Sequence, residues 1–141
     1  MVKSVSMIIM VGWLTACAAT RQTSGTVYQD IGGLPVVYAI TDHFITRIEQ
    51  EPRILEYFKG TDVERFRTHF AQQLCAETGG PCEYEGENMQ VIHQGMNINE
   101  ADFNLTVELL IDAMQDAGLS YPLRNKILAR LAPMRAQMLY K

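Results

Sequence analysis

From Tyr28 onward, apolar residues recur every three or four positions, and no segment alternates convincingly between apolar and polar residues. This is the period of an α-helix with one buried face, so the sequence predicts an all-α fold. Four apolar stripes carry the pattern: Val37, Ile40, Phe44 and Ile48; Val63, Phe66, Phe70 and Leu74; Phe103, Val107, Leu110, Ile111 and Met114; and Leu123, Ile127, Leu131, Met134 and Met138. The last two stripes are long and joined by a short link, which predicts an antiparallel helix pair.

Glycines and capping residues indicate where the predicted helices begin and end. Gly32-Gly33 breaks the chain before the first stripe, and Gly118 stops the third. Residues 61–64 (Thr-Asp-Val-Glu) form a capping-box sequence for the second stripe, and residues 99–102 (Asn-Glu-Ala-Asp) cap the third. Residues 80–88 contain two glycines and a proline and predict a loop.

The first sixteen residues predict an export signal and not part of the fold. Lys3 makes the start of the chain positive, and residues 5–14 are an apolar run shorter than the roughly 20 residues that span a bilayer. Residues 14–17 (Leu-Thr-Ala-Cys) resemble the lipobox of bacterial lipoproteins, in which cleavage precedes the cysteine and Cys17 would carry the lipid. The alternative is an ordinary secretory signal with Cys17 incidental. Both interpretations export the protein.

We therefore expect three regions: a signal peptide over residues 1–16, a lipidated N-terminus and tether over 17–27, and a single folded domain over 28–141. Ala18 after the cysteine, in place of an aspartate, resembles the class of lipoprotein sorted to the outer membrane. The expected location is the bacterial periplasm, with membrane attachment only through the lipid. Two or more acyl chains anchor a soluble domain stably.

The charge of the chain excludes one class of partner. Its formal net charge is −4, and removal of residues 1–16 would take away one lysine. A nucleic-acid-binding domain needs a basic face, so no nucleic-acid partner is expected. The length leaves no room for a second core, and we expect a monomer.

Two of the three histidines, His69 and His93, lie on either side of Gly79-Gly80, each within apolar, helix-periodic sequence. Imidazole is the commonest protein ligand for transition metals and tolerates a dry pocket. A buried histidine satisfied by hydrogen bonds is the alternative, and the residues by themselves favour that alternative.

The order and spacing of several motifs resemble the truncated haemoglobins, over almost all of the chain from about Tyr28 to Met138. The paired glycines are characteristic of group 1 of that family. The resemblance implies a two-over-two helical globin, a b-type haem held by His93, and reversible binding of diatomic gases. The motifs are residues 28–33 (YQDIGG), 58–62 (FKGTD), 79–81 (GGP), 89–96 (MQVIHQGM), 102–103 (DF) and 131–134 (LAPM).

The resemblance also implies an unusual pocket. Phe58 matches an aromatic residue that packs on the haem face, as does Phe44 beside the distal wall, although either could be plain core. Group 1 members that bind oxygen tightly use a tyrosine on the second helix and a glutamine on the third. Those positions hold Ile45, Phe66 and Phe70, which cannot donate a hydrogen bond. A bound ligand would lose about 1–3 kcal/mol of stabilisation.

His69 occupies the position at which some cyanobacterial and algal relatives supply an internal sixth ligand. The alternative is a solvent-facing histidine on the helix shoulder. Ligation by His69 would favour electron transfer, redox sensing or nitric oxide chemistry, with a redox partner that the sequence does not identify. Met89 shares the apolar segment of His93 and is assigned to the haem-binding set, and Lys59 lies near the expected corner of the haem propionates.

Cys75 and Cys82 bracket the glycine turn. In an exported protein such a pair favours a disulfide, which would contribute about 2–3 kcal/mol on the chain-entropy model. Cys17 would be consumed by lipid, which leaves an even count. Two alternatives remain: a free thiol pair that binds metal, and one buried with one exposed cysteine.

Three functions compete. The leading one is a haem protein that reversibly binds oxygen, nitric oxide or carbon monoxide. The second is a haem enzyme, either a nitric oxide dioxygenase or peroxidase-like, for which the apolar distal positions are unfavourable. The third is a haem-free helical lipoprotein adaptor in which His93 has no ligand.

Overall fold

The computed structural model describes residues 25–141, so the predicted signal peptide and Cys17 lie outside the described residues. This part of the chain is helical and contains no β-strand, which confirms the all-α prediction, and none of its helices is long and apolar enough to cross a membrane. The helices are α1 Val27–Ile31, α2 Leu34–Gln50, α3 Pro52–Leu55, α4 Val63–Glu77, α5 Met89–Ile92, α6 Glu100–Asp116, α7 Tyr121–Leu131 and α8 Arg135–Met138, with 3₁₀ turns at Glu56–Phe58 and Ala132–Met134.

Two helix pairs form the body of the domain. Helix α2 packs against α4 and α6, while α7 packs against α6 and α4, which gives two helices over two. The core between them consists of fully buried apolar side chains, among them Val37, Ile40, Leu74, Met114 and Ile127. Burial of each such side chain stabilises the fold by about 1.5–3 kcal/mol. The predicted pairing of the last two long helices is present.

The folded domain begins two residues earlier than the boundary predicted after residue 27. Thr26 caps α1 in a capping box with Gln29, and Val27 is buried in the core. Because Thr26 caps the helix and Val27 is buried, neither residue belongs to a solvated tether. Gly32 ends α1 with φ of 106°, a left-handed conformation that favours glycine.

Two other helix predictions need correction. The cap of α4 is Asp62 and not Thr61, because the Asp62 carboxylate accepts from the backbone N–H of Arg65. Val63 is then the first helical residue, and it is 50% exposed instead of facing the core. The last predicted helix ends at Leu131, because Pro133 has no N–H for the next helical hydrogen bond.

The segment that carries His93 is held by the end of the chain. Helix α5 packs against α8. The backbone N–H of Asn97 donates to the carbonyl of Lys141 at 2.9 Å, and that of Tyr140 donates to the carbonyl of Ile98 at 3.0 Å. These contacts fix the short helix α5, which is too short to be stable by itself.

Two contacts hold the C-terminal end of α4, a disulfide and a backbone hydrogen bond. Cys75 and Cys82 form a disulfide, the pairing that the sequence favoured. The N–H of Tyr28 donates to the carbonyl of Thr78 at 2.9 Å. Gly80 lies between these contacts, and a Cβ there would lie 2.6 Å from both the Cys75 Sγ and the Tyr28 ring. The glycine turn is therefore required for the close packing of the disulfide against α1.

Candidate functional site

His93 is held in the orientation that a metal ligand needs. It caps the C-terminus of α5 with a half-buried ring, and its Nδ1 lies 2.7 Å from the carbonyl oxygen of Met89. Because a carbonyl only accepts, Nδ1 must carry the proton. No hydrogen bond from Nε2 occurs within residues 25–141, so its lone pair is free. Burial lowers the pKa of His93, which favours the neutral imidazole.

The surroundings of His93 are apolar. Met89 is half-buried, while Val91, Ile92 and Met96 are large apolar residues that stay at least one-third exposed. Several exposed apolar side chains close in sequence to one imidazole are typical of a site that binds an apolar ligand or a partner.

Four phenylalanines from three elements form a continuous aromatic cluster. Phe44 and Phe70 have ring centroids 5.0 Å apart, Phe66 and Phe70 are stacked at 5.6 Å, and Phe58 meets Phe66 edge-on at 5.1 Å. Phe44 is only 4% exposed and belongs to the core, whereas the other three are partly buried. Ile45 joins Phe58 and Phe66 in lining a shallow recess of about 80 Å³. The cluster therefore joins the core to an accessible apolar surface.

Gln73, which the sequence analysis missed, is a second polar residue on the face of α4 that carries Phe66. It lies seven residues, or about two turns, after Phe66, and this spacing was the available signal. Its Nε2 donates to Met134 Sδ at 3.2 Å and to Glu77 at 3.1 Å, while its Oε1 is buried without a partner. Phe66 and Phe70 supply no donor themselves.

His69 contacts Tyr84. Its half-buried ring meets the Tyr84 ring edge-on, with centroids 6.2 Å apart and an interplanar angle of 74°. Within residues 25–141 the two histidine rings neither stack nor share a hydrogen bond. Tyr84, in the loop after Cys82, is thus a second residue that the sequence analysis did not identify.

Lys59 forms an exposed salt bridge with Glu56. Its Nζ lies 2.6 Å from the Glu56 carboxylate, and its side chain is 71% exposed. An exposed pair of this kind contributes little stability, so Lys59 can exchange partners readily.

A polar cluster that the sequence analysis missed fixes the turn before Phe58. The buried Asp102 carboxylate accepts from the Tyr57 hydroxyl at 2.6 Å and from the Asn99 amide at 2.7 Å, and it forms an ion pair with Arg53. The Tyr57 hydrogen bond is the largest cause of the lowered pKa of Asp102. The cluster joins α3 and the following turn to the start of α6, and so it positions Phe58.

No group of three or more His, Cys, Asp and Glu side chains within residues 25–141 could hold a metal ion. A haem supplies four of its own nitrogens and needs only one or two axial ligands from the protein. One oriented imidazole with a free Nε2, exposed apolar residues beside it and a partly exposed aromatic cluster therefore fit a haem better than a bare metal ion.

Comparison with known proteins agrees with this geometry. The family model for bacterial-like globin matches residues 26–140. The chain is 30% identical over 116 residues to a group 1 truncated haemoglobin of Nostoc sp., a match that covers 82% of this chain and 98% of that protein. It is 28% identical over 113 residues to that of Mycolicibacterium paratuberculosis, covering 80% and 83%.

The truncated haemoglobin from Tetrahymena pyriformis in its Fe(III) form has the same fold, with a TM-score of 0.79 at 27% identity, and the match covers 83% of this chain and 100% of that one. The family model and the sequence matches span nearly all of the described residues. The chain therefore belongs to the bacterial-like globin family and is a haem-binding truncated haemoglobin of group 1.

Proposed function

We propose that Nε2 of His93 would hold the iron of a haem and that the protein binds diatomic gases through that haem. The hydrogen bond from His93 Nδ1 to the Met89 carbonyl carries this proposal, because it fixes the tautomer and aims the free lone pair. When bound, the haem supplies the iron and its open coordination position. The protein supplies the imidazole and the apolar surroundings.

The haem is of b type in this proposal. A c-type haem is attached through Cys-x-x-Cys-His, and the sequence contains no such motif. Cys75 and Cys82 are also paired with each other. Haem b is extracted into acidified organic solvent and a covalently attached haem is not. Retention of haem with the protein, or a protein mass increased by one haem, would overturn the assignment.

The distal wall sets the preference among gases. The stacked rings of Phe66 and Phe70 would supply no hydrogen-bond donor to a ligand bound beside them. Oxygen depends on such a donor more than carbon monoxide or nitric oxide does, because it draws more negative charge when bound. We expect rapid oxygen dissociation and stronger retention of carbon monoxide and nitric oxide.

His93→Gly tests the axial role. We expect the purified variant to lack the haem absorption band and to regain it when imidazole is added, because free imidazole can enter the space left by the side chain. Met96→Ala is a matched control near the same site that keeps the imidazole. A His93→Gly protein that holds haem as well as the parent does would exclude this residue as the ligand.

His69 is proposed as a conditional sixth ligand. The His69 ring contacts Tyr84 in the structure, so the imidazole would have to turn toward Phe66 before it could act as an iron ligand. The ferrous protein without added ligand would then be a mixture of five- and six-coordinate forms. His69→Ala should leave only the five-coordinate spectrum. An identical spectrum for both proteins would remove His69 from the site.

We further propose that the chain is exported and anchored to the periplasmic face of the outer membrane through lipid on Cys17. The lipobox-like residues 14–17 support this, and so does the Cys75–Cys82 disulfide, since disulfides persist in oxidising compartments. Labelled palmitate should be incorporated into the parent protein and not into Cys17→Ala. Incorporation into both proteins, or into neither, would contradict lipidation at this cysteine.

A further inference from the structure

The loop after the disulfide is built around Tyr84. Its hydroxyl donates to the carbonyl of Glu87 at 2.8 Å, which folds the ring back over the loop. A Cβ on Gly86 would clash with the Tyr84 hydroxyl and ring, so the observed ring position requires a glycine there. Burial raises the pKa of Tyr84. The tyrosine is therefore fixed from within its own loop.

The same loop is attached to α4 on both sides of the Tyr84 contact. The side-chain amide nitrogen of Gln72 donates to the Glu85 carboxylate at 3.0 Å, and the side-chain amide oxygen of Gln72 accepts from the backbone N–H of Glu85 at 3.4 Å. The disulfide attaches Cys82 to the fully buried Cys75. Gln72 lies one turn after His69 on the same side of the helix. These attachments bring the Tyr84 ring onto His69.

We propose that Tyr84 is a positioning residue that holds the His69 imidazole on the loop side of α4, and that the Cys75–Cys82 disulfide determines how firmly it does so. This rests on the proposed haem site. His69 has two sides available: the Tyr84 side that it occupies, and the side of Phe66, which lies one turn earlier. An edge-on ring contact shifts such an equilibrium by about 2- to 13-fold.

Reduction of the disulfide would be a second way to release the Tyr84 loop from α4. A dithiol reductant attacks Cys82 Sγ, because Cys82 is partly exposed while Cys75 is buried. Its thiolate forms a mixed disulfide with Cys82 and displaces the Cys75 thiolate, which takes up a proton. The second thiol of the reductant then releases Cys82 as a thiol, and the reductant leaves as its own disulfide. Two electrons pass to the protein, and the loop loses its covalent attachment.

The test measures the ratio of six- to five-coordinate iron in the haem-loaded ferrous protein. Tyr84→Leu removes the ring and should raise this ratio by about 2- to 13-fold. Tyr84→Phe keeps the edge-on ring and should stay closer to the parent. Tyr121→Leu is the matched control, since Tyr121 is 69% exposed on α7. A ratio in Tyr84→Leu equal to that of the parent, or lower, would overturn the positioning role.

Two further measurements separate the parts of the proposal. In the diamagnetic carbon monoxide form, proton NMR should show a cross-peak between the His69 and Tyr84 rings that disappears in Cys82→Ser. Dithiothreitol applied to the parent should raise the six-coordinate fraction, with no change in His69→Ala. A fraction that reduction leaves unchanged would overturn the role of the disulfide. Absence of any haem band in the parent would instead overturn the proposed function.

Discussion

If Phe70 faces the bound ligand as proposed, a hydrogen-bond donor at that position should slow the dissociation of oxygen. Phe70→Gln substitutes an amide for a ring that lies 5.0 Å from Phe44 and 5.6 Å from Phe66. A hydrogen bond from that amide to bound oxygen is worth about 1–3 kcal/mol, which slows oxygen dissociation by about 5- to 150-fold. Loss of two aromatic pairs should also lower the free energy of unfolding by about 1–3 kcal/mol.

The assay is stopped-flow displacement of oxygen by carbon monoxide from the ferrous protein. Phe70→Leu is the matched control, because it loses the same two ring contacts without gaining a donor. Carbon monoxide dissociation should change little in either variant, since that ligand accepts hydrogen bonds weakly. If oxygen leaves Phe70→Gln as fast as it leaves Phe70→Leu, Phe70 does not face the ligand and the assignment of the distal wall is wrong.

Three further expectations follow from the same contacts. The Cys75–Cys82 disulfide closes a loop of eight residues (positions 75 to 82). Its reduction should lower the free energy of unfolding, measured by urea titration, by about 2.5 kcal/mol. An unchanged urea midpoint after reduction would contradict a stabilising cross-link. Asp102→Asn should destabilise the protein most above pH 5, because the pKa of Asp102 is lower in the folded protein than in the unfolded chain. The stabilisation by the ionised carboxylate is therefore present above the unfolded pKa of about 3.9 and is lost as the pH falls through the folded-state pKa. Urea titrations that show the same difference between the two proteins at every pH would refute this. Tyr57→Phe should reduce the same pH dependence, since its hydroxyl is the main cause of that shift.

The pattern of apolar residues predicted the helices well because amphipathic periodicity is a local property. The stripes that contain Val37 and Leu110 became the core faces of α2 and α6. Errors occurred at helix ends, where one residue decides the outcome. Asp62 outcompeted Thr61 as the cap of α4, and Pro133 stopped α7 because a proline removes one helical hydrogen bond.

The Asp102 cluster shows what periodicity cannot predict. Arg53 and Tyr57 lie 49 and 45 residues before Asp102, and nothing in their local sequence brings them to its carboxylate, whereas Asn99 is the local cap three residues before it. Only the packing of α3 against α6 places the tyrosine hydroxyl on the carboxylate. Gln73 differs from these residues, because its position seven residues after Phe66 could have placed it on the same helix face from the sequence alone.

By itself the sequence determined the helical class, the cysteine pair and the likeness of its motif order to a haem-binding family, because these depend on residue type and spacing along the chain. The resemblance, and not the residue itself, predicted His93 as the iron ligand, and that role stays a prediction. Tertiary structure decided the direction of each imidazole. The His93 imidazole is oriented by its hydrogen bond to the Met89 carbonyl, one helical turn earlier. The His69 imidazole instead contacts Tyr84, which lies in the loop that the Cys75–Cys82 disulfide joins to α4. The rotamer of a half-buried side chain depends on neighbours that are distant in sequence, and those neighbours meet only in the folded protein.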